Sequence, residues 1–163
     1  MLHEHQAGFV NRVLEASYRA RTYLYEDKGK LSAVHASDLD DQAGKVTRYL
    51  LFADEVTLPS GGVAGETAFK ADFQRNRRAT KNGTSLKDFD LQTRLFKQRC
   101  SYMIYSAVFQ GLPATFKERV YQRLKLALSE KKPDPEFAYL PTEEKRSIRG
   151  ILKETLTDLP RGW

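Results

Sequence analysis

Apolar residues at Phe9, Val13, Ala16, Ala20 and Leu24 recur at spacings of three and four, the period of one face of an α-helix. No other feature restricts the fold as much, because the pattern returns in later segments. Leu39, Ala43, Val46, Leu50 and Ala53 continue it. Ser37 stands before this second stripe as a capping residue, with Asp38, Asp40 and Asp41 in a first turn where the helix dipole favours carboxylates. That helix is expected to end near Glu55. A third is expected from about Asp90 to Phe109, closed by Gly111, with Pro113 opening a fourth that carries Phe116, Val120, Leu124, Ala127 and Leu128. After the KKPDPEF linker, Pro141 and Thr142 open a fifth, whose core face is Ile148, Ile151, Leu152 and Leu156.

The expected architecture is all-α, with about five main helices around a central buried helix at residues 90–109. A long irregular region at 57–89 contains one candidate short helix, ETAFKADFQ, and the tail LPRGW is held down by Leu159 and Trp163. At 163 residues the chain suits a single domain at 1–163, and folding at this size buries roughly 70% of the surface exposed by the unfolded chain. With 40% hydrophobic and 29% charged residues, and no apolar run of about 18, a soluble domain without a membrane span is expected.

Charge narrows the partners. Lys and Arg number 27 against 21 Asp and Glu, a formal charge of +6, which favours an anionic surface, nucleic acid or an acidic protein. The stretch 74–87 contributes Arg75, Arg77, Arg78, Lys81 and Lys87 with no acid among them. It is expected to be a flexible basic loop able to bind an anion or partner, although it holds no aromatic residue on which bases could stack.

Helix period places Arg99 within the apolar arc of residues 90–109, where an unpaired guanidinium would cost several kcal/mol. A structural ion pair is therefore expected, with Asp54, Glu55 or Asp90 as the carboxylate. Asp54 and Glu55 are favoured because they fall at a helix C-terminus, where negative charge needs compensation. The alternatives are a helix irregularity that turns Arg99 outward, and an anion-binding Arg99 in a pocket with Tyr102, Met103 and Tyr105, since bundles often hold ligands between helices.

Cys100 reads as a small buried apolar residue, and a single cysteine forms no internal disulfide. Ser101 and Ser106 have no histidine nearby in sequence and no GxSxG context. His3 and His5 form an HxH pair without an evident third ligand. SGGVAGET, residues 60–67, is one residue short of a phosphate loop and carries Glu66 where the lysine belongs, so it is expected to be a plain loop. Tyr18, Tyr23 and Tyr25 beside Arg19 and Arg21 suit an aromatic-basic surface or ordinary packing. No catalytic residue, metal or cofactor is assigned.

FDLQTRLFKQRCSYMIYS, with YLLFADE before it and VYQRLKLAL and IRGILKETL after it, resembles the C-terminal part of a family of long, uncharacterised exported bacterial proteins. The shared pattern is an RLF, then CSYxIYS, an LP turn and a VYxRL helix, and the similarity spans about residue 40 to the end. The resemblance implies the C-terminal module of a longer, periplasmic or exported protein, and brings no catalytic residues. The N-terminus lacks a basic segment followed by an apolar one, so a full-length chain would be cytoplasmic. The expected function is a non-enzymatic interaction or structural domain of a bacterial envelope protein, its basic surface meeting an anionic partner. A small-molecule or cofactor-binding helical domain and a nucleic-acid binder acting through 74–87 are the alternatives.

Overall fold

The first stripe winds into α1, Leu2–Glu26, and buries Phe9, Val13, Ala16 and Ala20. In the computed structural model, which describes residues 1–163, five further α-helices follow: α2 (Ala33–Leu50), α3 (Thr67–Gln74), α4 (Ala107–Gln110), α5 (Ala114–Ala127) and α6 (Thr142–Thr155). Two 3₁₀ turns, Tyr102–Tyr105 and Pro135–Phe137, complete the regular structure. The fold is all-α, and two isolated bridges are its only β pairing. No helix is long and apolar enough to cross a membrane.

α2 packs against both α1 and α5, and α1 also meets α4 and α5. Leu39, Ala43, Val46 and Leu50 of α2 therefore close on Phe116, Val120 and Leu124 of α5 over one continuous apolar core. The tail is strapped to α5, where Trp163 is buried and donates its indole N–H to the Tyr121 carbonyl at 2.7 Å.

Two boundaries differ from the sequence expectation. α2 is capped by Ser32, whose Oγ accepts the His35 N–H, while Ser37 and its aspartates lie inside the helix. Asp27 explains the earlier start, because its carboxylate accepts from the Ser32 N–H and contacts His35 Nδ1. The other end comes at Leu50 rather than Glu55. There Phe52 adopts a left-handed φ of 54°, while Ala53 N–H bonds to Arg48 O and Phe52 N–H to Tyr49 O, the paired bonds of a Schellman stop.

The larger correction concerns residues 90–109, which are not a helix. Phe89 and Phe96 pair as an antiparallel bridge, and the Lys97 N–H reaches back to the Asp88 carbonyl at 2.8 Å. Asp90 turns the chain by accepting from the Gln92 N–H and the Thr93 hydroxyl, a local bond that competes with helix formation. Ser101 and Ser106 then reset the backbone to an extended conformation, each capping the short element after it. Most of the apolar arc is buried, with Leu95, Phe96, Cys100, Tyr102, Met103 and Ile104 inside, while Leu91 is half-buried and Ala107 exposed. Irregular chain held by rings and caps achieves this burial in place of a helical cylinder.

Candidate functional site

The two groups of candidate residues converge. Arg78 and Lys87 from the basic stretch, and Tyr102, Met103 and Tyr105 from the aromatic one, line a single cavity of about 300 Å³. Asn76, Leu86 and Ser106 complete the lining, and no carboxylate is among the wall residues.

The local chain explains the convergence. Thr80 N–H bonds to Thr84 O and Gly83 N–H to Thr80 O, closing a turn that Ala79 and Ser85 flank as a bridge. Gly83 takes a φ of 80° in this turn, which glycine adopts without steric cost. Asp88 then fixes the exit by accepting from the backbone N–H and the hydroxyl of Ser85. Facing this turn, Tyr102 and Tyr105 are the first and last residues of a 3₁₀ turn. Side chains three apart eclipse in that geometry, so the two rings project from the same side of the turn.

Each ring carries one cation. The Arg78 guanidinium lies 4.9 Å from the Tyr105 ring centroid, while Lys87 Nζ lies 5.3 Å from that of Tyr102 and 4.6 Å from that of Phe73. Arg78 donates to the Thr155 carbonyl at 3.3 Å and Lys87 to the Phe73 carbonyl at 2.9 Å. Neither cation has an ion-pair partner. Burial lowers the Lys87 pKa below the ordinary lysine range, and burial raises those of Tyr102 and Tyr105, the latter to about 12. Tyr102 accepts from the Gln6 amide and Tyr105 shares a hydrogen bond with Thr155, so both phenols remain neutral and fixed.

The other expected anion ligands stand apart. Arg75 pairs with Asp72 at 2.7 Å in an exposed contact, Arg77 approaches Asp88 at 3.5 Å, and Lys81 uses its backbone N–H to bond Glu154. Arg99 does not join the tyrosine pocket. It is held by Glu144 of α6, with Nη2 to Oε2 at 2.6 Å and the Arg99 N–H to Oε1 at 2.7 Å. Asp54 instead pairs with Arg48. Glu55 accepts the Leu95 N–H at 3.3 Å, and burial raises its pKa. Asp90 serves its own turn. The expected Arg99 pairing with Asp54, Glu55 or Asp90 is thus corrected to Glu144, because residues 88–97 fold back as a hairpin and the chain after it brings Arg99 beside the start of α6.

Sequence distance also concealed His5. Its Nε2 lies 2.7 Å from Ser101 Oγ, and its ring stacks against Tyr49 and Phe52 at 5.1 and 4.6 Å. Gly8 makes room for this, since a Cβ there would lie 2.3 Å from Tyr49 Oη. Ser101 is fully buried and its Oγ accepts the Met103 N–H, so the pair locks α1 onto the 3₁₀ turn and leaves no approach for an acyl substrate. Cys100 is also fully buried, and burial raises its thiol pKa. Gly62, in the glycine-rich loop, has a φ of 70°, and a Cβ there would sit 2.3 Å from Leu91 O. That glycine serves close backbone packing. Tyr18 and Tyr25 are exposed, while Tyr23 stacks on His35 at 4.0 Å.

Burial lowers the His5 pKa from 6.5 to about 4, which yields a pH prediction. Between these values the unfolded chain binds a proton that the folded chain does not, so stability falls as pH drops from about 6.5 to about 4. Allowing for partial ring exposure, the loss is about 2 kcal/mol. The difference between wild type and His5→Gln in denaturation midpoint across this window should narrow accordingly. Parallel profiles would refute the assignment.

Comparison with protein-family models, curated proteins and solved structures finds no match to this chain.

Proposed function

We propose that this chain is a helical binding domain that receives an anionic group, from a small ligand or a partner protein, between Arg78 and Lys87. The observation supporting this reading is a cavity bearing two cations without carboxylate partners and no acid in its wall. Elsewhere most guanidiniums of this chain meet a carboxylate, as Arg48, Arg99 and Arg123 do. A recess lined by one sign of charge concentrates counter-ions, and the carbonyls that orient Arg78 and Lys87 leave further N–H groups on each for a ligand. Two cations in one recess suit a single carboxylate or phosphoryl group, held by charge-assisted hydrogen bonds of about 2.8 Å. The neutral phenols and Met103 supply apolar wall for the remainder of the ligand.

Titration with inorganic phosphate and with acetate, followed through the amide resonances of Tyr102–Ser106, tests the reading. Arg78→Ala is expected to weaken binding about tenfold or more, since a hydrogen bond to a charged group contributes about 1.5–3 kcal/mol. Arg146→Ala, on the exposed Glu130 pair, should leave the titration unchanged. Resonances that stay still with both anions would reject the proposal.

A further inference from the structure

We infer that Lys87 is a carbonyl-reactive amine, and that the pocket captures a small oxo acid whose carboxylate rests on Arg78 while its carbonyl carbon meets Lys87 Nζ. This rests on the anion-binding reading and adds both a ligand class and a covalent step to it. A cavity of about 300 Å³ is at the small end of ligand sites, the size of a compact acid rather than a nucleotide.

Several features of the wall suit this chemistry. Lys87 is partly buried against Phe73 and Tyr102, whereas the lysine nearest the end of α1, Lys28, is exposed. Its ammonium has no carboxylate to stabilise it and shares the cavity with a second cation, Arg78. Desolvation and a neighbouring like charge both favour the neutral amine, and burial does lower the Lys87 pKa. The ring faces act in the other direction by favouring the ammonium, which assists electrostatic capture of the incoming acid. With the acid seated on Arg78, exclusion of water from the cavity disfavours the ammonium, and the neutral form of Lys87 supplies the nucleophile. The Phe73 carbonyl, 2.9 Å from Nζ, holds the nitrogen at the wall.

In the step itself, the neutral Nζ donates its lone pair to the carbonyl carbon. A C–N bond forms, and the π pair of the C=O moves to oxygen. One N–H proton passes to that oxygen, giving a carbinolamine. The C–O bond then breaks as nitrogen re-forms a double bond to carbon, and the oxygen leaves as water with both protons that nitrogen has lost. Nothing is oxidised or reduced. Ser106 is among the residues that line the cavity, and its Oγ accepts the Phe109 N–H, which leaves its hydroxyl proton available for another acceptor.

The test incubates the intact chain with pyruvate and sodium borohydride, which traps the imine as a secondary amine, and maps the product by peptide mass spectrometry. The expected result is one dominant adduct on Lys87, competed by acetate and slowed about tenfold by Arg78→Ala. Lys87→Arg keeps the cation but removes the nucleophilic amine, and should abolish the adduct. Labelling at Lys87 no greater than at Lys28 would overturn the inference. If pyruvate still shifted the pocket resonances in that case, anion binding would stand without the covalent step. Silence toward pyruvate, acetate and phosphate together would remove both.

Discussion

Glu144→Ala is expected to destabilise the protein by about 3–5 kcal/mol, the cost of breaking a buried ion pair by removing one partner. Glu144 accepts from Arg99 Nε, Nη2 and backbone N–H, and Arg94 approaches it at 3.5 Å. The Arg99 and Glu144 side chains are only 18% and 10% exposed, so water replaces little of what is lost. Removal strands one guanidinium, leaves a second with Asp90 alone, and orphans a backbone donor. Arg99→Met should cost less, about 2 kcal/mol, because Arg94 and the Arg99 N–H still satisfy the carboxylate. Urea unfolding with an unchanged slope would measure both. A Glu144→Ala midpoint within error of wild type would mean that the pair is solvated and that α6 is held to the hairpin by apolar contacts alone.

Phe96→Ala should cost a similar amount, about 3–5 kcal/mol, and should also abolish anion binding. Phe96 is 2% exposed and touches four rings, with centroids at 5.9 Å to Phe52, 6.1 Å to Phe73, 5.5 Å to Phe89 and 5.7 Å to Tyr102. Two of those, Phe73 and Tyr102, are the platforms under Lys87. Phe109→Ala provides the comparison, because Phe109 is fully buried against Phe9 and Tyr121 on the other side of the core. It should lose comparable stability while the surviving folded protein still binds acetate. Equal loss of binding in both variants would show that the pocket depends on global stability and not on the ring cluster.

These two predictions mark where the sequence could be read and where it could not. Residues that repeat along one face announced α1, α2, α5 and α6, and Thr142 was identifiable as the first residue of the last helix. Local periodicity determines such elements because each residue's neighbours at i+3 and i+4 share its environment. The burial of Cys100, Phe96 and Ile104 was equally legible, since apolar side chains go inside whatever backbone carries them. The backbone itself was not. Asp90, Ser101 and Ser106 each offer a side-chain oxygen to the chain nearby, and those local bonds defeat a helical reading of the apolar pattern between them.

The site lay further from view. Composition and order alone gave five cations between residues 75 and 87 and an aromatic run ending at Tyr105, with nothing to relate them. The turn at Thr80–Thr84 and the 3₁₀ turn at Tyr102–Tyr105 bring two of those cations over two of those rings. The partners of His5 and Arg99 were hidden in the same way, 96 and 45 residues along the chain. The sequence by itself determined that α1, α2, α5 and α6 are helical, which face of each is apolar, and that cations exceed acids. Only the tertiary structure decided which charges are neutralised and which remain unpaired, because that depends on contacts between segments that no local pattern encodes.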